Sequence, residues 1–403
     1  MSALKYWLWL SGCEVSAKAK AALFRYYGDA QQAFMAPKGD YRMVEGISPA
    51  EREILEKRDL SIADRIYGEC QRQFLDIITY QDARYPKRLR NIYAPPAVLY
   101  LKGKLPNIDE NAAIAVVGTR KASVYGIRMA RNMANDIARC GAIVVSGLTR
   151  GIDGAAAEGA LLADGIVVAV LGTSHEKDKN FLSPDVAVRG AVISEYPPTR
   201  EMRNNFFRER NRISAGLSVG VLAVEAPENS GTALFVEEAV EQGKEIFAVP
   251  SNVDSVNSVG TLNMLKDGAK LVTCGYDVVC EFEYLFPGKL HPPKGGSSAE
   301  KIIPAEAEKQ HQNGGIAEEE TKKVIDKEND RGYIDLKEQL SKLNETQLKI
   351  ITAIDANASH IDDIIEATGL PTATVLAQLT VLEIKGYVRR EAGKRITLNT
   401  AKK

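Results

Sequence analysis

The sequence predicts an α/β protein whose centre is a doubly wound parallel sheet of the extended Rossmann-like kind, with an N-terminal helical domain and a C-terminal winged helix. Short, fully apolar segments rich in Val and Ile are typical of parallel strands buried on both faces. The amphipathic stretches between them supply the helices of right-handed crossovers. A composition break near Pro287 then separates a smaller folded unit from the sheet.

Residues 1–75 are predicted to form a small helical domain of the SAM or helix-hairpin-helix kind. The segments AKAKAALFRYYG and SPAEREILEKR carry apolar residues at helical spacing, and Gly28, Gly39 and Gly46 interrupt the pattern. The pattern alone indicates no function for this domain.

Residues 76–286 are predicted to form the sheet domain. Its expected strands are AIAVV (113–117), IVV (143–145), IVVAVL (166–171), AVIS (191–194), VGVLAV (219–224) and EIFAV (245–249). Between the first two strands, residues 124–140 place Ile127, Ala130, Ala134 and Ile137 on one face of a helix.

The C-terminal part is predicted to consist of a flexible linker, residues 287–340, and a winged helix, residues 341–403. The linker is acidic and poor in apolar residues, so it cannot bury enough surface to fold alone. Three amphipathic helices and a hairpin at Ala392–Gly393 follow. A protein-interaction role fits this unit as well as DNA binding does, because its third helix carries few cations. The cations of the hairpin are Arg389, Arg390, Lys394 and Arg395.

Composition excludes several classes of protein. The 403 residues carry a net charge of -1, which excludes a uniformly basic coat but not a local basic patch. Five Cys without a C-x-x-C pair indicate reduced thiols, and four scattered His exclude a His-rich metal site. Neither a membrane-spanning apolar run of ~20 residues nor a secretory signal is recognisable. We therefore expect a cytoplasmic protein without a cofactor.

Two predicted loops have the character of phosphate-binding turns. Gly118, Thr119 and Arg120 follow the first strand, while Ser146-Gly147 and Arg150 follow the second. Glycine allows the backbone to approach an anion, the next helix offers free N–H groups, and each Arg can bind phosphate in bidentate fashion. Glycines that only make tight turns are the alternative for either loop alone. Two such loops in one sheet favour phosphate binding.

A third segment, FFRERNRISAGLS (206–218), interleaves aromatic and basic residues. Phe207 can stack on a base, while Arg210, Asn211 and Arg212 can contact the backbone of single-stranded nucleic acid. The alternative is a buried Phe and Arg side chains that are paired to acids. A P-loop and a G-x-G-x-x-G motif are both missing, which disfavours nucleotide binding. A G-x-S-x-G nucleophile motif is missing too.

The order of several motifs resembles the DNA-processing protein A family, also called Smf. These are VVGTRKASVYG (116–126), VVSGLTRGIDGAAAEGAL (144–161), VISEYP (192–197), RERNRISAGLS (208–218), SGTALFVEEAVEQGKEIFAVPS (230–251) and SVGTLNMLKDGAKLV (258–272). The resemblance is strong over about residues 75–285, and the flanking units match in position only.

The resemblance implies a non-catalytic protein that binds single-stranded DNA on its Rossmann-like domain and forms homodimers. It also implies protection of incoming strands during natural transformation and help in loading the RecA recombinase. The implied DNA pocket consists of Gly118, Thr119, Arg120, Ser146, Gly147, Arg150, Phe207, Arg210, Asn211 and Arg212.

The sequence also departs from the family pattern. Ala156-Ala157 replaces an Ala-His pair, Phe235-Val236 replaces Thr-Ala, and Arg208 replaces a Pro. The stretch from Ser174-His175 to Asn180 is also altered, and Lys177 and Lys179 are the stand-ins there for a family lysine.

The alternative function is a nucleotide phosphoribohydrolase of the lysine-decarboxylase-like (LOG) type. That family's Pro-Gly-Gly-x-Gly-Thr-x-x-Glu is incomplete here, since only Ser230-Gly231-Thr232 precedes Glu237 and Glu238.

Overall fold

The computed structural model describes residues 3–200 and 206–293, and near the C-terminus residues 359–384, 388–391 and 395–398 with single positions between 347 and 354. The chain divides into two compact units, Met1–Gln312 and Asn313–Lys403. The predicted linker at 287–340 lies almost entirely outside the described residues.

The first unit begins with a helical segment, as the apolar spacing predicts. Its helices are α1 Leu4–Gly12, α2 Ala17–Tyr27, α3 Ala30–Met35, α4 Pro49–Glu56 and α5 Ser61–Arg72. Ser16 and Asp29 cap α2 and α3 by accepting a backbone N–H three residues further on. Ser48 and Glu51 form a capping box at the start of α4.

The helical segment shares a core with the edge of the sheet. The ring of Phe24 lies 5.5 Å from that of Trp7 and 4.5 Å from that of Tyr80. The buried Tyr100 hydroxyl lies 2.9 Å from Ser11 Oγ and donates to it. These contacts join residues on both sides of position 75 in one compact unit. The four-domain division of the chain stays a prediction.

The sheet is mixed, and its central strands are parallel. Its strands are β1 Asp76–Thr79, β2 Val98–Gly103, β3 Ala113–Val117, β4 Ile143–Ser146, β5 Val167–Val170, β6 Ala191–Ser194, β7 Gly220–Ala223, β8 Glu245–Ala248 and β9 Lys270–Leu271. They lie in the order β1-β2-β6-β5-β4-β3-β7-β8-β9. The pairs β1–β2 and β2–β6 are antiparallel, and the remaining pairs are parallel. The predicted doubly wound fold and its six strands are thereby confirmed.

Helices cover both faces of the sheet. They are α6 Lys87–Arg90, α7 Val124–Arg139, α8 Ile152–Leu162, α9 Ser183–Arg189, α10 Phe206–Glu209, α11 Asn211–Leu217, α12 Gly231–Glu241, α13 Val259–Lys266 and α14 Gly275–Val279. One face packs against α7 and α8, where Ala130, Ala134 and Ile137 are fully buried as predicted and Ile127 is partly buried. The opposite face packs against α11 and α12.

The second unit has the elements of a winged helix. Strand β10 (Ser359–His360) precedes α15 (Ile361–Thr368) and α16 (Thr372–Ile384), and the hairpin β11 (Val388–Glu391) and β12 (Arg395–Leu398) follows. The three strands pair in the order β10-β12-β11. The described part of the first predicted helix contributes Ile350 to the core. The side chains of Arg389, Arg390, Lys394 and Arg395 lie outside the described residues.

Within the parts of the chain that the structure describes, no helix is both long and apolar enough to cross a membrane. All five cysteines are free thiols, and Cys13, Cys70 and Cys140 are buried.

We predict that Gly159→Ala lowers the free energy of unfolding by about 1–3 kcal/mol. The two helices α7 and α8 approach closely there, and a Cβ on Gly159 would lie 2.1 Å from the Arg131 carbonyl oxygen. Gly68→Ala is the matched control, because a Cβ on this α5 residue meets no atom within 4 Å. It should leave stability unchanged or raise it by up to about 1 kcal/mol. Urea unfolding of both variants measures the difference, and equal midpoints would contradict the close packing of α7 on α8.

Candidate nucleic-acid interface

The carboxyl edge of the parallel strands brings the two predicted loops together. Strands β3, β4 and β5 lie side by side, and β7 pairs with the other side of β3. The direction of winding reverses between β3 and β7, and doubly wound sheets bind ligands at such a switch point. The loops after β3, β4 and β5 therefore open at one edge of the domain.

The first loop, Gly118 to Lys121, is held from the neighbouring strand β7. The Thr119 backbone N–H donates to the Glu225 carbonyl oxygen at 2.8 Å. The Asn257 side chain donates to the Lys121 carbonyl oxygen at 3.1 Å. The backbone of this loop is thus fixed on its inner side, while the side chains of Arg120 and Lys121 are exposed.

The second loop, Ser146 to Gly151, is fixed by Ser146 and Asp153. The buried Ser146 hydroxyl donates to the Asp153 carbonyl oxygen at 2.9 Å and accepts the Leu148 N–H at 3.1 Å. Thr149 Oγ1 donates to Asp153 Oδ2 at 3.0 Å. The Arg150 side chain remains exposed. Ser146 therefore shapes the turn from beneath rather than lining its surface.

The two loops touch each other through glycine. Gly151 has a φ of +87°, and a Cβ there would lie 2.3 Å from the Thr119 carbonyl oxygen. A Cβ on Gly118 would lie 2.5 Å from Cγ1 of Ile152. Both glycines are required by close packing of loop on loop. The tight-turn alternative thus accounts for their presence, and the cationic side chains beside them carry the argument for anion binding.

A cavity of about 880 Å³, here called the outer groove, extends across the ends of β3, β4 and β5. Gly147, Gly151 and Gly172 contribute backbone to its lining. Its basic side chains, all exposed, are Arg120, Lys121, Arg150, Lys177 and Lys179. The acidic residue in the lining is Asp178, whose carboxylate accepts from Ser183 Oγ and from the Asn180 N–H. Cations therefore dominate this surface.

A smaller cavity of about 420 Å³, the inner pocket, adjoins the outer groove and shares Arg120 and Thr149 with it. Arg210 and Asn211 line it although both are largely buried. The Arg210 guanidinium donates to the Val170 carbonyl oxygen at 2.9 Å and lies 3.7 Å from Asp153 Oδ2. A Cβ on Gly147 would overlap this guanidinium, at 1.8 Å from its nitrogen.

Burial acts on both charges of the Arg210–Asp153 pair. It raises the pKa of the Asp153 carboxyl, an effect that Arg210 and Thr149 partly offset. It lowers the pKa of the Arg210 guanidinium, and nearby Arg120 lowers it further. Each charge thus partly offsets the cost of burying the other. Arg210 is a partly satisfied cation at the floor of the pocket, and Arg120 and Arg150 are the exposed ones.

Arg212 lies outside the predicted binding site: it lines neither the outer groove nor the inner pocket. Its guanidinium nitrogens donate to Glu195 Oε1 at 3.1 Å and to Oε2 at 2.6 Å, and the side chain is 7% exposed. Burial acts to lower the pKa of Arg212, but the Glu195 carboxylate outweighs it and the pKa is raised. The structure therefore places Arg212 in an ion pair with Glu195, which is the paired-Arg alternative for this segment, and its phosphate role stays a prediction.

Apart from Ser146, which supports the second loop from beneath, most of the other predicted site residues line the cavities. Gly118, Thr119, Arg120, Gly147, Arg150, Arg210 and Asn211 line the two cavities. Phe207 belongs to α10, but its side chain lies outside the described residues, so its stacking role stays a prediction.

Sequence reasoning did not predict how two acids at strand ends support the site. Glu195 and Glu225 each follow a strand of the sheet, and the pattern gave no sign that they pair with Arg212 or hold the first loop. Lys121 follows Arg120 directly and is a further groove cation. Within the described ranges, no group of three or more His, Cys, Asp or Glu side chains is arranged to hold a metal ion.

Comparison with known proteins identifies the family. The sequence model of the DNA recombination-mediator protein A family matches residues 76–283, about half of the chain. The chain belongs to this family. A second model, the DprA winged helix domain, matches residues 336–394. The resemblance seen in the motifs and the C-terminal winged helix of the predicted fold are thereby confirmed.

Individual relatives of this recombination-mediator family agree. The protein Smf of Synechocystis is 31% identical over 334 residues, which cover 81% of each chain. The DNA processing protein DprA of Bacillus subtilis is 33% identical over 218 residues, 53% of this chain and 73% of that one. The X-ray structure of DprA from Streptococcus pneumoniae matches with a TM-score of 0.61 and 31% identity, covering 69% of this chain and 98% of that chain.

We predict that Arg212→Ala destabilises the protein by about 3–5 kcal/mol, because it leaves the Glu195 carboxylate, only 11% exposed, without its partner. The double variant Glu195→Gln with Arg212→Ala should recover part of that loss. Arg208→Ala, which removes an exposed cation of the same segment, is the control and should change stability little. Urea unfolding measures all three, and a stable Arg212→Ala would mean that the pair does not support the fold.

We predict that His175 makes the protein less stable in acid. Burial lowers the pKa of His175 to about 4, and its Nε2–H donates to the Tyr100 carbonyl oxygen at 2.9 Å. Because an unfolded His titrates near ~6.5, the unfolded state binds more protons between these values. Stability present above pH ~6.5 should therefore fall by about 3 kcal/mol as the pH drops to ~4.

The measurement is urea unfolding of wild type and His175→Gln at several pH values. The variant should show a flatter pH dependence over that window. His291→Gln, at an exposed position, should keep the wild-type slope. Parallel slopes for wild type and His175→Gln would rule out His175 as the source.

Proposed function

We propose that this protein binds single-stranded DNA along the outer groove and acts in the cytoplasm as a non-catalytic mediator of recombination. In this proposal it protects incoming strands, as in natural transformation, and helps to load the RecA recombinase, working as a homodimer. The observation that supports DNA binding is the set of exposed cations at the carboxyl edge of the sheet. The family membership supports the role in recombination.

The groove suits a phosphate backbone for electrostatic reasons. Arg120 and Arg150 follow adjacent strands, and Lys177 and Lys179 follow the next one. A run of phosphates crossing the three strand ends would meet cations at successive positions. Their neutralisation releases counterions and gives salt-dependent binding without sequence preference.

Base stacking would supply the remaining affinity. The sequence predicts Phe207 for this role. Phe181 is a second aromatic residue, 81% exposed and two positions beyond Lys179 of the groove. An exposed ring beside a basic groove can stack on any base, worth ~1–3 kcal/mol per base.

The phosphoribohydrolase alternative gains nothing from the described residues. Glu237 and Glu238 lie within α12, and the lining of the inner pocket extends along that helix from Ser230 to Phe235 without including either carboxylate. The acidic residue in that lining is Asp153, which Arg210 and Thr149 already engage. We therefore keep the non-catalytic proposal.

We predict that Arg120→Ala and Arg150→Ala each weaken binding of a labelled poly-dT oligonucleotide about tenfold, because each removes a charge-assisted contact to phosphate. Each should also reduce the slope of log affinity against log salt by about 0.7. Fluorescence anisotropy at several salt concentrations measures both quantities.

Arg65→Ala is the matched control, since Arg65 is an exposed cation on α5 outside both cavities. It should bind like wild type, and duplex DNA should compete poorly for the wild-type protein. Stimulation of RecA filament formation should fall in the two groove variants in step with affinity. Wild-type affinity and salt slope in both variants would remove the outer groove as the DNA site.

A further inference from the structure

The switch-point crevice between β3 and β7 contains a carboxylate of the protein itself. Glu225 follows β7 and is 1% exposed. Its Oε2 accepts the Ser123 backbone N–H at 2.9 Å, and its Oε1 accepts the Ser123 hydroxyl. The Asn257 side chain donates to Oε2 at 3.3 Å. The carboxylate thus sits at the N-terminus of α7, with three donors directed at it.

These donors are of the kind that binds phosphate in doubly wound folds. A helix N-terminus after the first strand offers N–H groups and the positive end of a helix dipole to an anion. Gly126, in the first turn of α7, makes room for it: a Cβ at this position would lie 2.3 Å from the Glu225 carboxylate. The helix backbone therefore does approach an anion closely at this point, and that anion is the protein's own Glu225 carboxylate.

Space for an external ligand exists beside this carboxylate. A cavity of about 490 Å³ is lined by Ser123, Tyr125, Glu225 and the segment after β8 that includes Pro250. This volume is ample for a phosphate group, and Glu225 forms part of its wall. A phosphate that entered would meet a buried negative charge and donors that are already engaged.

We propose that Glu225 is a specificity-determining residue, a built-in anion that holds the phosphate position of the crevice and so excludes nucleoside phosphates from it. The same residue fixes the first loop, because its carbonyl oxygen accepts the Thr119 N–H and Asn257 bridges its carboxylate to the Lys121 carbonyl oxygen. Because Glu225 occupies the crevice, external anions at this edge of the sheet are directed to the outer groove. The inference goes beyond the proposed function and does not require DNA binding.

The test is whether an external anion can take the place of the carboxylate. Glu225→Ala should lose thermal stability in chloride buffer and regain it in inorganic phosphate at the same ionic strength. The rise in Tm should follow the logarithm of the phosphate concentration above the dissociation constant, reaching about 2–3 °C at ~10 times that constant. Adenosine monophosphate should produce a similar concentration-dependent rise, whereas wild type should respond to neither ligand in this way.

Asp136→Ala is the matched control. It removes another buried carboxylate, which lies 3.4 Å from the Gly275 N–H at the start of the short helix α14. Any general stabilisation by phosphate will appear in this variant and in wild type as well. Glu225→Ser, which keeps a hydroxyl near Ser123, carries the same expectation as Glu225→Ala if the alanine variant folds poorly.

Each possible outcome of this test either supports or overturns the proposal. A rise in Tm with ligand concentration that is confined to the Glu225 variants, or their recovery as folded protein in phosphate but not in chloride, supports the proposal. An equal response in Asp136→Ala, no response in a folded Glu225 variant, or failure of both variants to fold in either buffer overturns it. Poly-dT binding by wild type is measured in parallel, so loss of the proposed DNA function would be recognised separately.

Discussion

The exposed cations of the outer groove depend on carboxylates buried beneath them. The Asp153 carboxylate accepts from Thr149 of the second loop, and its backbone carbonyl accepts from Ser146. The Glu225 carboxylate holds Ser123 at the start of α7, and its backbone carbonyl accepts the Thr119 N–H of the first loop. A buried charge is tolerated only with a partner, and each of these acids has strong donors around it. The loops are therefore held from the inside by electrostatics, and their outer side chains remain available to solvent.

The sequence predicted the fold better than the site, for physical reasons. Fully apolar runs such as 113–117 and 219–224 mark strands buried on both faces, and the structure contains them. Strands β1 and β9 lie at the sheet edges, where half-exposed residues blur that pattern. The antiparallel direction of β2 leaves no mark in the composition of its strand.

At the site, the pattern located the loops but did not distinguish an exposed cation from a buried one. Arg120 and Arg212 look alike in the sequence, each next to a polar residue in a basic segment. Only the fold reveals that Glu195, from the end of another strand, engages Arg212. Pairings between residues far apart in sequence are set by topology, so local motifs cannot predict which guanidinium remains at the surface.

The contact of Gly151 with the Thr119 carbonyl has a consequence for how a ligand is recognised. Because the two loops touch through backbone atoms, this contact limits how far either can move alone and helps to set the separation of the peptide segments bearing Arg120 and Arg150 before any ligand arrives. Little main-chain entropy then remains to be lost on association, which favours affinity. The spacing of the cations along this edge is therefore set by the protein. A flexible single strand can adjust the spacing of its phosphates to match it, whereas a stiff duplex has less freedom to do so.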